Sequence, residues 1–293
     1  MKKIIKKLVI KILNIIDNLS PNIHKNVSIK LLKASASRNS VIESNNPYTW
    51  EFSSFSQNGE DGIIDYLSSK IKNPNKYFVE IGSSNGFENN TSYLAIAKRY
   101  TGMMIEGSIM EHKICKDLID RFSMGVECVN MFVDKDSVEE LKDQMVYMNP
   151  DIFSLDIDGN DYFLAKTIMN AGIRPKIFVV EYNSAYGPDK SITISYDKDF
   201  VLTESHSSFL YYGVSLTGWK TFFDDNDYKF ICVDSNGVNG FFIDKNEFEE
   251  NFYQNIKGFQ FRENFWQKIK FKKDWDHQFE LIKDMPFYKI LKK

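Results

Sequence analysis

Five short apolar runs, separated by four stretches of helical pattern, constrain this chain more than any other feature. The runs are "YFVEIG" (77–82), "TGMMIE" (101–106), "GVECVNMF" (125–132), "DIFSLDI" (151–157) and "KIFVVEY" (176–182). Each has the length of a strand buried on both faces. Residues 88–99, 109–121, 136–147 and 160–171 lie between them and carry helical spacing. Strand–helix alternation of this kind predicts an α/β fold whose parallel sheet is covered on both sides. Two further runs, "YKFICV" (228–233) and "GFFI" (240–243), are separated by "DSNGVN". Its Asn236-Gly237 pair predicts a hairpin and hence an antiparallel edge. In such a sheet a ligand sits beyond the carboxyl ends of the strands, where the strand order reverses.

The 293 residues, 43% hydrophobic and 15% aromatic, suffice for one large domain and a small second one, and exclude a disordered chain. Three scattered cysteines without a CxxC fit a reducing compartment, so the expected location is cytoplasmic, up to the inner face of the membrane. The four histidines have no zinc-site spacing. Residues 1–33 hold eight lysines and one acid, a sum of +7, so the remainder carries −10 of the net −3. An acidic body argues against nucleic acid as a partner. In the first 19 residues Ile5, Leu8, Val9, Ile12, Leu13, Ile16 and Leu19 share one helical face, with Lys2, Lys3, Lys6, Lys7 and Lys11 opposite. Lysines interrupt the segment too often for a membrane span or a good signal peptide. It reads as an amphipathic helix packed on the domain or a second subunit, or lying on an anionic membrane. "ASASRNSVIESNNP" (34–47) reads as a polar linker. The expected organisation is helix and linker over 1–45, the main domain over 46–245 and a helical extension over 246–293.

The strand ends collect polar residues. In "VEIGSSNG", Glu80, Gly82 and Gly86 form E-x-G-x-x-x-G, and glycine lets a ligand approach the backbone closely at a helix entrance. The dinucleotide fingerprint is not met, since Ser84 and Phe87 stand where it requires glycine. An acid two residues before the glycine suits a cationic ligand group, such as the amine of a methionine moiety. Glu106, at the end of the second run, suits two ribose hydroxyls. The fourth and fifth runs end in Asp156/Asp158 and Glu181/Asn183, an all-oxygen set that suits Mg²⁺, Mn²⁺ or Ca²⁺. Strand alternation puts Asp156 and Asp158 on one side. The alternative is that Asp158 or Asn160 caps the following helix.

"SQNGEDGII" (56–64), "FVEIGSSNGFENNTSYL" (78–94), "MIEGS" (104–108), "SLDIDGNDY" (154–162), "VVEYNS" (179–184) and "YYGVSL" (211–216) occur in that order. Over residues 50–245 they resemble the FkbM-like family of S-adenosylmethionine-dependent methyltransferases, which often modify sugars or other hydroxyl-bearing natural products. The resemblance implies a class I, Rossmann-like doubly wound sheet of seven strands with an antiparallel final hairpin. It implies that Glu80 and Gly82 hold the methionine end of the cofactor, with Asn85 in the same turn. Glu106 would then hold the ribose, Asp134 would lie near the adenine amino group, and Gln57 would close over the pocket. Related sugar O-methyltransferases imply a divalent ion on Asp158 and Glu181, with Asp156 and Asn183 next. His206 and Asp158 are the candidate catalytic residues, His206 for its near-neutral intrinsic pKa. The expected function is O-methylation of a sugar, nucleotide-sugar or glycan hydroxyl in bacterial surface-polysaccharide biosynthesis. The "SAYGPDKSITISYDKDF" stretch (184–200) offers aromatics to stack on a sugar face. A glycosyltransferase using Asp156/Asp158 as a D-x-D motif and a non-catalytic membrane-associated scaffold are the competing readings.

Overall fold

The seven apolar runs form the seven strands of one sheet. A computed structural model describes residues 21–123 and 125–293. The strands are β1 (Tyr77–Ile81), β2 (Thr101–Glu106), β3 (Val126–Asn130), β4 (Ile152–Leu155), β5 (Ile177–Glu181), β7 (Tyr228–Val233) and β8 (Asn239–Asp244); β6 (Ile192–Ile194) and β9 (Phe287–Lys289) form a separate antiparallel pair. The sheet order is β3-β2-β1-β4-β5-β8-β7. Strands β1 to β5 are parallel, and β8 is antiparallel to both of its neighbours. The expected antiparallel pair lies at this edge of the sheet. The hairpin forms, but its second strand inserts between β5 and β7, which leaves β7 at the edge parallel to the rest. The burial of the two strands explains the choice. All six residues of β8 are buried, whereas β7 exposes Lys229, a charge typical of edges.

Side chains alternate across the sheet. Val79, Ile105, Phe153 and Val180 enter the core on one face, while Phe78, Met104, Ile152 and Val179 enter the core on the other. Each such side chain, fully withdrawn from water, contributes about 1.5–3 kcal/mol. Helices Ser92–Lys98, Ile109–Phe122, Val138–Gln144 and Asp161–Asn170 connect the first five strands, as their spacing predicts, and Leu216–Asp224 precedes β7.

Residues 1–20, where the basic amphipathic pattern lies, are outside the described residues. A helix spans Pro21–Ser37 and packs Ile23, Val27 and Ala34 against Phe52, Phe55 and Leu118. Residues 34–37 of the expected linker are therefore helix, because Ala34 is small enough to close against the domain. The region after 245 supplies more than helices. Its strand β9 pairs with β6, and Ile282 is buried with Tyr186, Ile194 and Leu210. Among the described residues, no helix is long and apolar enough to cross a membrane.

Candidate functional site

A cleft of about 710 Å³ opens beyond the carboxyl ends of β1, β2 and β4, where the strand order reverses between β1 and β4. Gly82 leaves β1 with φ of 84°, and a Cβ there would stand 1.8 Å from the Asp156 carbonyl oxygen. The ends of β1 and β4 therefore touch backbone to backbone, which requires glycine. Ser84 follows with φ of 48°, and its N–H donates to Glu106 Oε2 at 2.8 Å. Glu106 Oε1 accepts from Ser108 N at 2.7 Å. A carboxylate offers about four lone-pair sites, so Glu106 keeps acceptor capacity toward the cleft that it lines.

Asp156, Asp158 and Glu181 stand at the ends of β4 and β5, each with a carboxylate oxygen within 4.8 Å of the others. Asp158 is the exposed member and adopts φ of 57°, a strained backbone for a residue with a side chain. Burial first, then the charges of Asp158 and Asp161, raise the Asp156 pKa well above the carboxylate range. Burial, then Asp156 and Asp158, do the same for Glu181. Two such acids side by side hold a proton or a cation, because full ionisation would leave unbalanced charges in contact. The oxygen-only set fits a hard divalent ion.

The fourth acid of the cluster has another task. Asp161 begins the helix Asp161–Asn170, and its carboxylate accepts from Ile157 N and Gly159 N, both at 2.9 Å. Burial pushes it up to about 6 against those hydrogen bonds. Asn160 occupies the N-cap position without capping. Its amide instead grips the backbone of Asp197, donating at 2.6 Å and accepting at 3.3 Å. That clamp sets the 195–201 segment over the carboxylates, where Tyr196, Lys198 and Phe200 line the cleft. A Cβ on Gly159 would reach Phe200 at 2.5 Å.

The remaining expected residues divide. Gln57 and Asp134 line the cleft. Gln57 Nε2 reaches Glu88 Oε2 at 3.3 Å, and Asp134 accepts from Asp136 N and Ser137 N at 2.9 and 3.0 Å. Asp61 of the "SQNGED" turn accepts from Ser54 N and Ser56 N, folding the loop that presents Gln57. Glu80 is buried below the glycine turn, outside the cleft lining. It accepts from Asn90 N at 2.8 Å and Thr91 Oγ1 at 2.5 Å, and burial raises it to about 7. Asn85 caps its own turn through Phe87 N. Asn183 does not join the acids. Its Nδ2 donates to Leu210 O and Tyr212 O at 2.7 and 3.0 Å, and its Oδ1 accepts from Ala185 N. Both ends of this buried amide are engaged, and Asn183 does not line the cleft. His206 is not among the cleft-lining residues, and its Nδ1 bonds Ser208. Sequence reading misses Tyr196, Lys198, Phe200 and Phe132 as individual lining residues. The first three belong to the aromatic stretch 184–200 and Phe132 ends the third apolar run, so composition signalled the segments but not the positions.

No protein-family model matches the chain, and no curated protein does. Among solved structures, the chain is similar to an O-methyltransferase from Bacillus cereus in complex with SAH, at 15% identity over 75% of this chain and 89% of that one, with a TM-score of 0.43. It is similar to cofactor-bound Rv0187 from MTB, at 12% identity over 80% and 96% of the two chains, TM-score 0.42. It is also similar to the O-methyltransferase TomG from Streptomyces achromogenes in complex with SAM, at 14% identity over 64% and 80%, TM-score 0.39.

Proposed function

We propose that the chain is an S-adenosylmethionine-dependent O-methyltransferase of the FkbM-like kind, acting on a sugar hydroxyl in bacterial surface-polysaccharide biosynthesis. The observation that carries the reading is the pairing of Gly82 and Glu106 at adjacent strand ends, beside the reversal of strand order. A nucleoside-bearing ligand needs close backbone approach at the first position and a diol acceptor at the second, and both line one cleft. The sulfonium cofactor supplies an electrophilic methyl group when bound.

The chain's own residues then align and deprotonate the acceptor. Glu106 fixes the ribose, Gly82 admits the methionine end, and Asp134 and Gln57 border the remainder. Tyr196 and Phe200 provide apolar faces for a sugar ring. Asp158, exposed at the cleft, takes the hydroxyl proton in place of His206. Asp156, Asp158 and Glu181 would hold Mg²⁺ or Mn²⁺, which lowers the pKa of a bound hydroxyl. Calorimetry with S-adenosylhomocysteine, set against uridine diphosphate, tests the cofactor and separates methyl transfer from glycosyl transfer. Binding of the nucleotide but not the thioether would refute the reading.

A further inference from the structure

Helix Phe265–Phe271 packs on the same end of the sheet as the cleft. Phe265 N donates to Asn236 O in the β7–β8 turn at 2.8 Å, and Asn264 N donates to Ser184 Oγ just after β5 at 2.8 Å. Its inward face is polar and engaged. Gln267 donates to the Tyr212 hydroxyl at 3.0 Å and accepts from Ser184 Oγ at 3.3 Å.

The outward face inverts the usual pattern of a surface helix, which turns polar residues to water. Phe265, Trp266 and Ile269 are 47%, 57% and 54% exposed. Spacings of three and four residues put them on one face. Phe209 extends the patch, 41% exposed, with Lys270 Nζ 5.0 Å from its ring. Phe209 holds φ of 61°, an unfavourable conformation for an aromatic residue that here keeps its ring in solvent. Around the apolar face stand Lys268, Lys270, Lys272 and Lys273, all exposed, in a stretch (264–273) without an acid. Lys268 pairs with Glu263 at 3.3 Å, and the other three form no ion pair among the described residues. Trp, Phe and Ile ringed by lysines, three of them outside any ion pair among the described residues, match the apolar boundary and the phosphates of an anionic bilayer together. A second copy would bring the same positive ring against itself, which disfavours that occupant.

We propose that this face docks the protein on an anionic lipid bilayer, with Phe209, Phe265, Trp266 and Ile269 in the headgroup layer and the lysines on lipid phosphates. The inference does not depend on the chemistry of the cleft.

The test uses the full chain and vesicles of phosphatidylcholine, alone or with equimolar phosphatidylglycerol. Flotation is expected with the anionic vesicles and not with the neutral ones. Trp50 and Trp219 are buried and Trp275 is half-buried, so a blue shift of emission on binding reports mainly Trp266, the most exposed of the four. The shift should vanish in Trp266→Phe, which still floats. Replacing Lys270, Lys272 and Lys273 with glutamine should each lower partitioning about fivefold. Phe265→Ser with Ile269→Ser should weaken it further and leave thermal unfolding unchanged, since both side chains lie outside the core. Flotation that ignores all these substitutions would assign membrane contact to residues 1–20 and overturn the proposal. So would absence of flotation, or a wild-type dimer that the Phe265→Ser, Ile269→Ser variant abolishes.

Discussion

Asp156→Asn should stabilise the protein at alkaline pH while removing its response to divalent ions. With carboxylate oxygens within 4.8 Å of one another, two charges at an effective dielectric constant of about 20 repel by about 3.5 kcal/mol, and each member has two such neighbours. The chain avoids part of this by keeping a proton on Asp156, which burial and then the charges of Asp158 and Asp161 hold well above the usual carboxylate range. At about pH 8 the repulsion that remains, screened by water at the half-exposed cluster, is a penalty of about 2–3 kcal/mol. Asparagine keeps the shape and removes the charge. The variant should gain that amount at about pH 8 and less than about 1 kcal/mol near pH 5, because the raised folded pKa makes the penalty grow as pH rises. Urea denaturation in the presence of a chelator measures the gain. The same experiment with Mn²⁺ should stabilise the wild-type protein and not the variant. A variant that loses stability at both pH values, or keeps the full Mn²⁺ response, would refute the account of three mutually repelling ligands.

Glu106→Gln should weaken S-adenosylhomocysteine binding by about 1.5–3 kcal/mol in calorimetry, since a charge-assisted acceptor is lost while the turn is kept. Gly82→Ala should abolish that binding, because a Cβ 1.8 Å from the Asp156 carbonyl forces β1 and β4 apart; a soluble variant with unchanged affinity would contradict it. Lys176→Met should cost about 3–5 kcal/mol in denaturation, as it leaves the buried Asp151 without the ammonium 2.8 Å away. Burial raises Glu51, Asp61 and Glu80 to about 7 and Asp234 to about 8. The folded chain then holds more protons than the unfolded one between about pH 4 and 8, so these groups stabilise it most at the acid end of that window and lose the contribution as pH rises. A denaturation midpoint that climbs steadily from about pH 5 to 8 would oppose this.

The sheet was legible because its strands are continuous apolar runs separated by periodic helices, and local pattern decides both. The order of the last two strands was not, since a hairpin turn fixes pairing within β7–β8 but not which member meets β5. The strands β6 and β9, three residues each, carry too little pattern to be seen and exist through pairing across about 95 residues of chain. At the site, Gly82, Glu106, Asp156, Asp158 and Glu181 could be read from strand ends because topology alone brings such ends together. Glu80 and Asn183 have the same signature, yet they face the interior. Which side of the chain a strand-end residue turns to depends on the partners its loop supplies, Thr91 for one and the 210–212 backbone for the other. His206 had chemistry but no position to recommend it.

The wall of the cleft at 195–201 is held from two distant places, the Asn160 clamp and the β6–β9 ladder. Segments 184–215 and 282–290 therefore form one unit of inheritance although they lie far apart in sequence. A chimera that exchanged the first segment with a relative would pair a foreign β6 with the resident β9, and the wall would be misplaced over the carboxylates. Exchange of both segments together would move that wall intact and leave the half of the cleft that holds Gly82 and Glu106 untouched. Changes of substrate in this architecture should accordingly arrive as paired changes, one within the loop after β5 and one near residue 288.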